Sequence, residues 1–235
     1  MFHRSDQQTS ELRHAVLIYG SARGGFATVH DVSNTDGKPV IKAGVPATRS
    51  ALMNAMAALQ HNDIAPEILP GHILAKGEDY LVWWRKPCHR QVWFRTHEFG
   101  ECTAVVPHPS VLFMARPLSK EMFVFALNGE ERPEPETPLY QAPYFNVWAG
   151  GRLCVGNVTL PSGGMAYQPE AWEDIFYASW FTHPNVQRLI NYRPGAYAFW
   201  KRLLDGKEKK FPSQRLLKDR DTVGSAFKRI MKESE

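Results

Sequence analysis

Cys154 closes the run Asn146–Cys154, N-V-W-A-G-G-R-L-C, eight residues after Asn146 and at the end of a short hairpin-like turn. A thiolate is a strong nucleophile near neutral pH and a good leaving group, so a thiol presented on such a turn could carry covalent chemistry. A cysteine between Leu153 and Val155 is ordinarily a small buried hydrophobe, and periodicity alone favours that reading. The amide of Asn146 could donate to an oxyanion or brace the loop, and both readings stay open. His183 could serve Cys154 as a general base, although a histidine at a helix C-terminus more often caps carbonyls. Cys88, His89, His97, Cys102 and His108 form a loose Cys/His group without the close Cys pairs of zinc sites, which implies no metal. Trp83, Trp84 and Trp93 read as sheet-face packing. Lys207, Lys209 and Lys210 beside Phe211 and Pro212 lack repeated basic–aromatic interleaving and do not point to nucleic acid.

Those residues must be held by a fold, and the bulk properties allow one. Of 235 residues, 43% are hydrophobic and 12% aromatic, enough for a sizeable core. No apolar run approaches the roughly 18 residues of a membrane span, and the polar start M-F-H-R-S-D-Q-Q-T-S-E-L-R contains no export segment. Three irregularly spaced cysteines make no disulfide framework, which suits a reducing cytoplasm. Charge is uneven. Residues 185–235 carry 13 Lys and Arg against 6 Asp and Glu, a net of +7, whereas the rest carries 15 against 18. Such a segment can meet an acidic protein face or nucleic acid, or simply keep a helix solvated, which is the commonest case.

His14–Tyr19 and Phe26–Val32 read as two strands of a hairpin joined by G-S-A-R-G-G, with no Lys-Ser or Lys-Thr pair for a phosphate loop. Pro46 is read as opening a helix, Ala47–Gln60, with Leu52, Met56 and Leu59 on one core-packing face. Strands are predicted at His72–Lys76, Tyr80–Arg85, Gln91–Arg95, Val111–Arg116 and Met122–Leu127, together an antiparallel meander. Arg132–Pro143, R-P-E-P-E-T-P-L-Y-Q-A-P, is read as an extended crossover and not a central strand, since proline donates no ladder hydrogen bond. Helices are predicted at Gln168–Phe181, around Ala196–Leu204 and around Thr222–Lys232.

The order helix, meander, prolyl crossover, cysteine turn, helices resembles the ubiquitin-conjugating fold. The turn also resembles that family's active-site stretch, in which a His-Pro-Asn triplet precedes an aliphatic, an aromatic, a turn glycine and the nucleophilic cysteine. Asn146, Val147, Trp148, Gly151, Leu153 and Cys154 match. Tyr144 and Phe145 stand where the family has His and Pro. The words F-A-L-N-G-E-E-R-P-E-P-E-T-P-L-Y-Q-A-P-Y-F-N-V, R-L-C-V-G-N-V and F-Y-A-S-W-F-T-H narrow the resemblance to a prokaryotic ubiquitin-conjugating-like family represented by PRTRC system protein B. His183-Pro184-Asn185 spells the triplet too, but eight residues on stands Arg193, so we read it as a coincidence at a helix end.

The resemblance implies an α+β, ubiquitin-conjugating-enzyme-like fold: an antiparallel meander with flanking helices and an N-terminal hairpin and helix elaboration. We expect one elaborated domain over 1–235. Residues 1–95 hold the hairpin, helix and first strands, 96–205 the conjugating-enzyme-like core, and 206–235 a basic C-terminal segment. The implied activity is thioester transfer. Cys154 would accept a small β-grasp ubiquitin-like protein from an adenylating activating enzyme and pass it on, with Asn146 and His183 at the site. Tyr144, Phe145, Trp148 and Gly151 would support the loop. The resemblance implies no cofactor and no membrane. Two rivals stand beside this reading: a non-catalytic scaffold of the same fold that binds the ubiquitin-like partner, and a Cys/His thiol hydrolase using Cys154 and His183.

Overall fold

Two strands carry long apolar runs, S-V-L-F-M-A-R and E-M-F-V-F-A-L, and the structure explains why they do not alternate. In this computed structural model, which describes residues 12–21, 24–35, 37–48, 68–156 and 158–232, both strands lie inside a sheet covered on its two faces. The backbone divides into two compact units, Met1–Ile68 and Leu69–Glu235.

The first unit holds an antiparallel sheet of β1 (His14–Ser21), β2 (Gly24–Thr35) and β3 (Lys38–Pro46), with β1 and β2 in register from His14↔Asp31 to Ser21↔Gly24. Pro46 closes β3 and does not open a helix. The remainder of the predicted helix, from residue 49, lies outside the described residues.

In the second unit a six-stranded sheet has the order β12-β10-β9-β8-β5-β4. Its members are β4 (Ile73–Gly77), β5 (Tyr80–Arg85), β8 (Ser110–Arg116), β9 (Glu121–Leu127), β10 (Pro138–Gln141) and β12 (Lys218–Thr222). A second sheet joins β6 (Cys88–Thr96), β7 (Gly100–His108) and the two-residue β11 (Trp180–Phe181), which runs parallel to β6. The helices are α1 (Pro169–Ala178), α2 (Gly195–Leu204) and α3 (Val223–Lys232). The architecture is therefore mixed α+β with mostly antiparallel sheets. No helix among the described residues is long and apolar enough to cross a membrane.

Alternation along the central strands sends side chains into two separate cores. Trp83, Phe113, Ala115 and Val124 face one core, shared with Trp172 and Phe176 of α1, Phe199 and Trp200 of α2, and Phe94 of the second sheet. Val82, Leu112, Met114, Phe123 and Phe125 face the other, covered by Val223, Ala226 and Ile230 of α3. A strand buried on both faces reads as a continuous apolar run, as these two do. Thr222 caps α3 reciprocally with Ser225: each backbone N–H donates to the other's hydroxyl, at 3.3 and 2.8 Å.

Three predicted elements of the second unit are corrected. The single meander is two sheets, because β6 leaves it to pair with β7 and β11. The proline-rich crossover contains an interior strand: β10 pairs with both β9 and β12. Pro138 stands at the first position, where a missing N–H is tolerated, and Leu139, Tyr140 and Gln141 follow with donors intact. The helix predicted to Phe181 stops at Ala178, because Trp180 and Phe181 pair with Trp93 and Phe94.

Candidate functional site

The chain reaches the thiol from a buried lead-in. Trp200 donates its indole N–H to the Pro143 carbonyl at 2.8 Å, and the next two residues, Tyr144 and Phe145, are completely buried. The Tyr144 hydroxyl meets His108 Nδ1 at 2.8 Å, and its ring packs edge-on to Phe176. Burial pushes the His108 imidazole down to about 4 and raises the Tyr144 phenol well above its ordinary value. Where the resembling family has His-Pro, this chain has an aromatic anchor.

From Asn146 the chain makes a tight hairpin. The Gly151 N–H donates to the Trp148 carbonyl at 3.0 Å, and the Trp148 N–H donates to the Arg152 carbonyl at 2.9 Å. Gly150 takes φ +79 at the third turn position, as a type II turn demands. Gly151 has φ +88, and a Cβ there would lie 2.5 Å from Cζ of Phe125, so only glycine fits. The returning arm is stitched to the free edge of β9 beyond the end of β10. Val124 N–H donates to the Gly151 carbonyl and Leu153 N–H to the Met122 carbonyl, each at 2.8 Å. The Cys154 N–H then closes the hairpin on the Asn146 carbonyl at 2.7 Å.

Cys154 itself is exposed, so the bland reading of a buried hydrophobe does not hold. It opens into a cleft of about 420 Å³ that it shares with Asn146 and His183. Leu153, Val155, Val158 and Ile175 line it with hydrocarbon, and Ser179, Thr182 and Arg95 supply polar groups. Arg95 stacks over Trp180 at 4.4 Å and pairs with Glu101 at 2.9 Å.

Asn146 sits in the left-handed region at φ +61, which asparagine tolerates better than most residues. Its Nδ2 donates to the Trp180 carbonyl at 2.7 Å. Its Oδ1 accepts from the Thr182 hydroxyl at 2.8 Å and from the Thr182 N–H at 3.2 Å. Its backbone N–H donates to the His183 carbonyl at 3.0 Å. The amide thus ties the hairpin to residues 180–183.

His183 is not at a helix end. Ser179 caps α1, and His183 follows β11 instead. Its Nδ1 lies 3.0 Å from the Thr182 hydroxyl. Turned with its amide oxygen toward Trp148, Asn185 accepts from the Trp148 indole N–H at 3.1 Å and donates to His183 Nε2 at 3.1 Å. The donors then run in one direction, from Trp148 through Asn185, His183, Thr182 and Asn146 to the Trp180 carbonyl. This chain puts the N–H of His183 on Nδ1 and engages both ring nitrogens. His183-Pro184-Asn185, although not at a helix end, bonds directly to the turn that carries Cys154.

Thr182, Asn185 and Trp180 complete the site, although their positions in the sequence do not mark them as part of it. F-T-H and His-Pro-Asn were the available signals, but their proximity to Cys154 is a tertiary fact. The Cys/His group does not converge on the thiol. His108 is buried beneath Tyr144, and Cys88 stands opposite it across the β6–β7 ladder.

The second unit is mixed α+β and presents a free thiol on a braced hairpin. The chain belongs to prokaryotic E2 family D, whose family model matches residues 48–218 and so takes in the hairpin, the cleft and the His-Pro-Asn segment. No curated protein matches the chain, and no solved structure does.

Proposed function

We propose that the protein is a ubiquitin-conjugating-like acyl carrier. Cys154 accepts the C-terminus of a small β-grasp protein as a thioester from an adenylating activating enzyme, then yields it to an acceptor. The step balances simply: the Cys154 thiolate attacks the donor thioester carbonyl, the tetrahedral intermediate collapses, and the donor thiolate leaves. Such an exchange is nearly isoenergetic, so positioning supplies much of the catalysis. The observation that carries the reading is an exposed Cys154 at the end of a hairpin whose backbone is fixed at both arms and at the turn. A sulfur sealed in the core would have favoured the scaffold alternative.

In this reading Cys154 is the nucleophile, while Asn146 and His183 are positioning residues. The hydrolase alternative needs a histidine nitrogen aimed at the thiol, and the partners of both His183 nitrogens argue against it. Placement beside PRTRC system protein B belongs to the same proposal and rests on the words shared over residues 122–183, while the cytoplasmic expectation rests on the three irregularly spaced cysteines.

The test is reconstitution. Purified protein, given the cognate activating enzyme, ATP and the β-grasp protein, should gain a reductant-sensitive adduct. Cys154→Ala should abolish it, while Cys88→Ala and Cys102→Ala keep it; burial raises the Cys102 thiol, which makes it a poorer nucleophile. A reductant-sensitive adduct on Cys154→Ala would falsify the assignment.

A further inference from the structure

Part of the positive excess of residues 185–235 lies beside the thiol's hairpin. Arg188, Lys218, Arg220 and Arg229 come from that segment and, with Arg152 of the hairpin, line a second cleft of about 600 Å³. Asp219 is the one carboxylate among its lining residues. Two of the cations are already held: Arg152 pairs with Glu121 at 2.9 Å and Arg229 with Asp221 at 2.9 Å. Arg229 also donates to the Gly150 carbonyl at 3.3 Å, so one wall of the cleft is bonded to the turn itself. Burial raises the Asp221 carboxyl, but hydrogen bonds from Ser225 and Arg229 outweigh it and hold the group below its usual value. Arg188 meets only a neutral amide, that of Asn191, while Lys218 and Arg220 are exposed. Setting five cations against Asp219, Glu121 and Asp221 leaves a net of two positive charges around one concave surface.

We propose that this cleft docks an acidic peptide segment of the partner protein that meets the thiol. Four of the five cations are arginines, whose planar forks match carboxylates in pairs. Single-stranded nucleic acid instead needs exposed rings on which bases stack, and Phe123, the one aromatic lining residue, is buried. A segment seated here touches the turn of the hairpin whose last residue is Cys154, so docking and acyl transfer share one small element. The proposal rests on the conjugating reading for the identity of the partner, but its binding step can be measured without any transfer.

The test uses the full chain and a short fluorescent peptide of Asp and Glu, followed by anisotropy. Controls are the Asn/Gln version of the peptide and an oligothymidylate of equal charge. The acidic peptide should bind and its amide version should not. Lys218→Glu with Arg220→Glu should weaken binding roughly tenfold or more at low salt, and less at physiological salt, where screening acts over about 8 Å. Arg188→Glu, on a separate loop, should act in the same direction, which guards against a fault in β12 alone. Cys154→Ala should bind as wild type does. Peptide binding with no adduct in the reconstitution would sink the conjugating reading and leave the cleft standing. Absent binding, binding indifferent to both reversals, or tighter binding of the oligothymidylate would overturn the cleft even if the adduct forms.

Discussion

The two ends of the 146–154 hairpin are built by opposite means. At the lead-in, Tyr144 and Phe145 are completely buried among Phe94, Phe176, Phe181 and Trp200, with ring centroids 5.0–5.8 Å apart. Aromatic pairs of this kind contribute about 0.5–1.5 kcal/mol each beyond area burial. At the far end Cys154 is exposed, and Gly156 and Val158 beyond it lie open as well. The contrast shows how a fold can hold a thiol still without covering it: rigidity is placed upstream and in the backbone, leaving the sulfur open to solvent.

If rigidity is concentrated upstream of the thiol, damage should be graded along the hairpin. Gly151→Ala should be the most disruptive change. It combines a left-handed φ with a Cβ overlapping the Phe125 ring, costing about 3 kcal/mol or more. Thermal unfolding should show a large fall in Tm, and adduct formation should fall with it. The neighbouring Gly150→Ala is the control. Its Cβ would meet nothing closer than the Arg229 guanidinium at 3.6 Å, so about 1–2 kcal/mol of backbone strain is all that is expected. Equal losses at both positions would mean that the Phe125 contact is irrelevant.

The lead-in also carries a pH signature. Burial holds His108 at about 4 in the folded chain, against roughly 6.5 when unfolded. Its folded value is the lower one, so between these two values the unfolded state binds more protons. The stability at stake is fully present above about pH 6.5 and is lost as pH falls toward 4, by about 3 kcal/mol in all. Urea unfolding at a series of pH values should trace that loss, and His108→Gln should flatten it. A His108→Gln profile as steep as wild type would place the acid sensitivity elsewhere.

Asn146 joins the two ends, and its replacement separates bracing from oxyanion stabilisation. Asn146→Ala removes the bonds to Trp180 and Thr182 and strains a left-handed residue, for about 2 kcal/mol. Asn146→Gly relieves the strain and loses only the bonds. Stability and transfer rate should fall together across the pair; a rate that drops about 10²-fold with Tm unchanged would return Asn146 to the oxyanion role.

Much of this gradient could be read in the sequence, and the gaps have physical causes. The hairpin was legible because Asn146, Gly151 and Cys154 are local: a turn needs its glycine where the backbone needs it. Helices α1 and α2 were legible from their apolar period. β10 was hidden because Pro138 suggested a barrier to pairing, although a proline at a strand's first position blocks nothing. β11 was hidden because two aromatic residues after a helix resemble more helix. The brace was illegible in principle, since Thr182 and Asn185 reach Trp148 and Asn146 only through the fold. The basic cleft was visible as a charge excess, but Arg152 joins it from outside the basic segment.

The weakest effect should lie just past the thiol, and it tests the contrast most directly. Gly156 has φ +52, so a side chain there meets left-handed strain, but among the described residues no atom beyond its chain neighbours lies within 4 Å of its would-be Cβ. Gly156→Ala should therefore cost only the strain, about 1 kcal/mol, and Gly156→Asn less, because asparagine tolerates that region. Neither change touches the hairpin bonds that hold Cys154, so adduct formation should stay within about twofold of wild type. Thermal unfolding and charging kinetics, measured on these two variants beside Gly151→Ala, compare positions of the same residue type and the same sign of φ. The difference under test is whether the surroundings are packed. A Gly156→Ala loss as large as that of Gly151→Ala would mean that the far end is as tightly built as the turn, and the thiol would then owe its position to contacts on both sides.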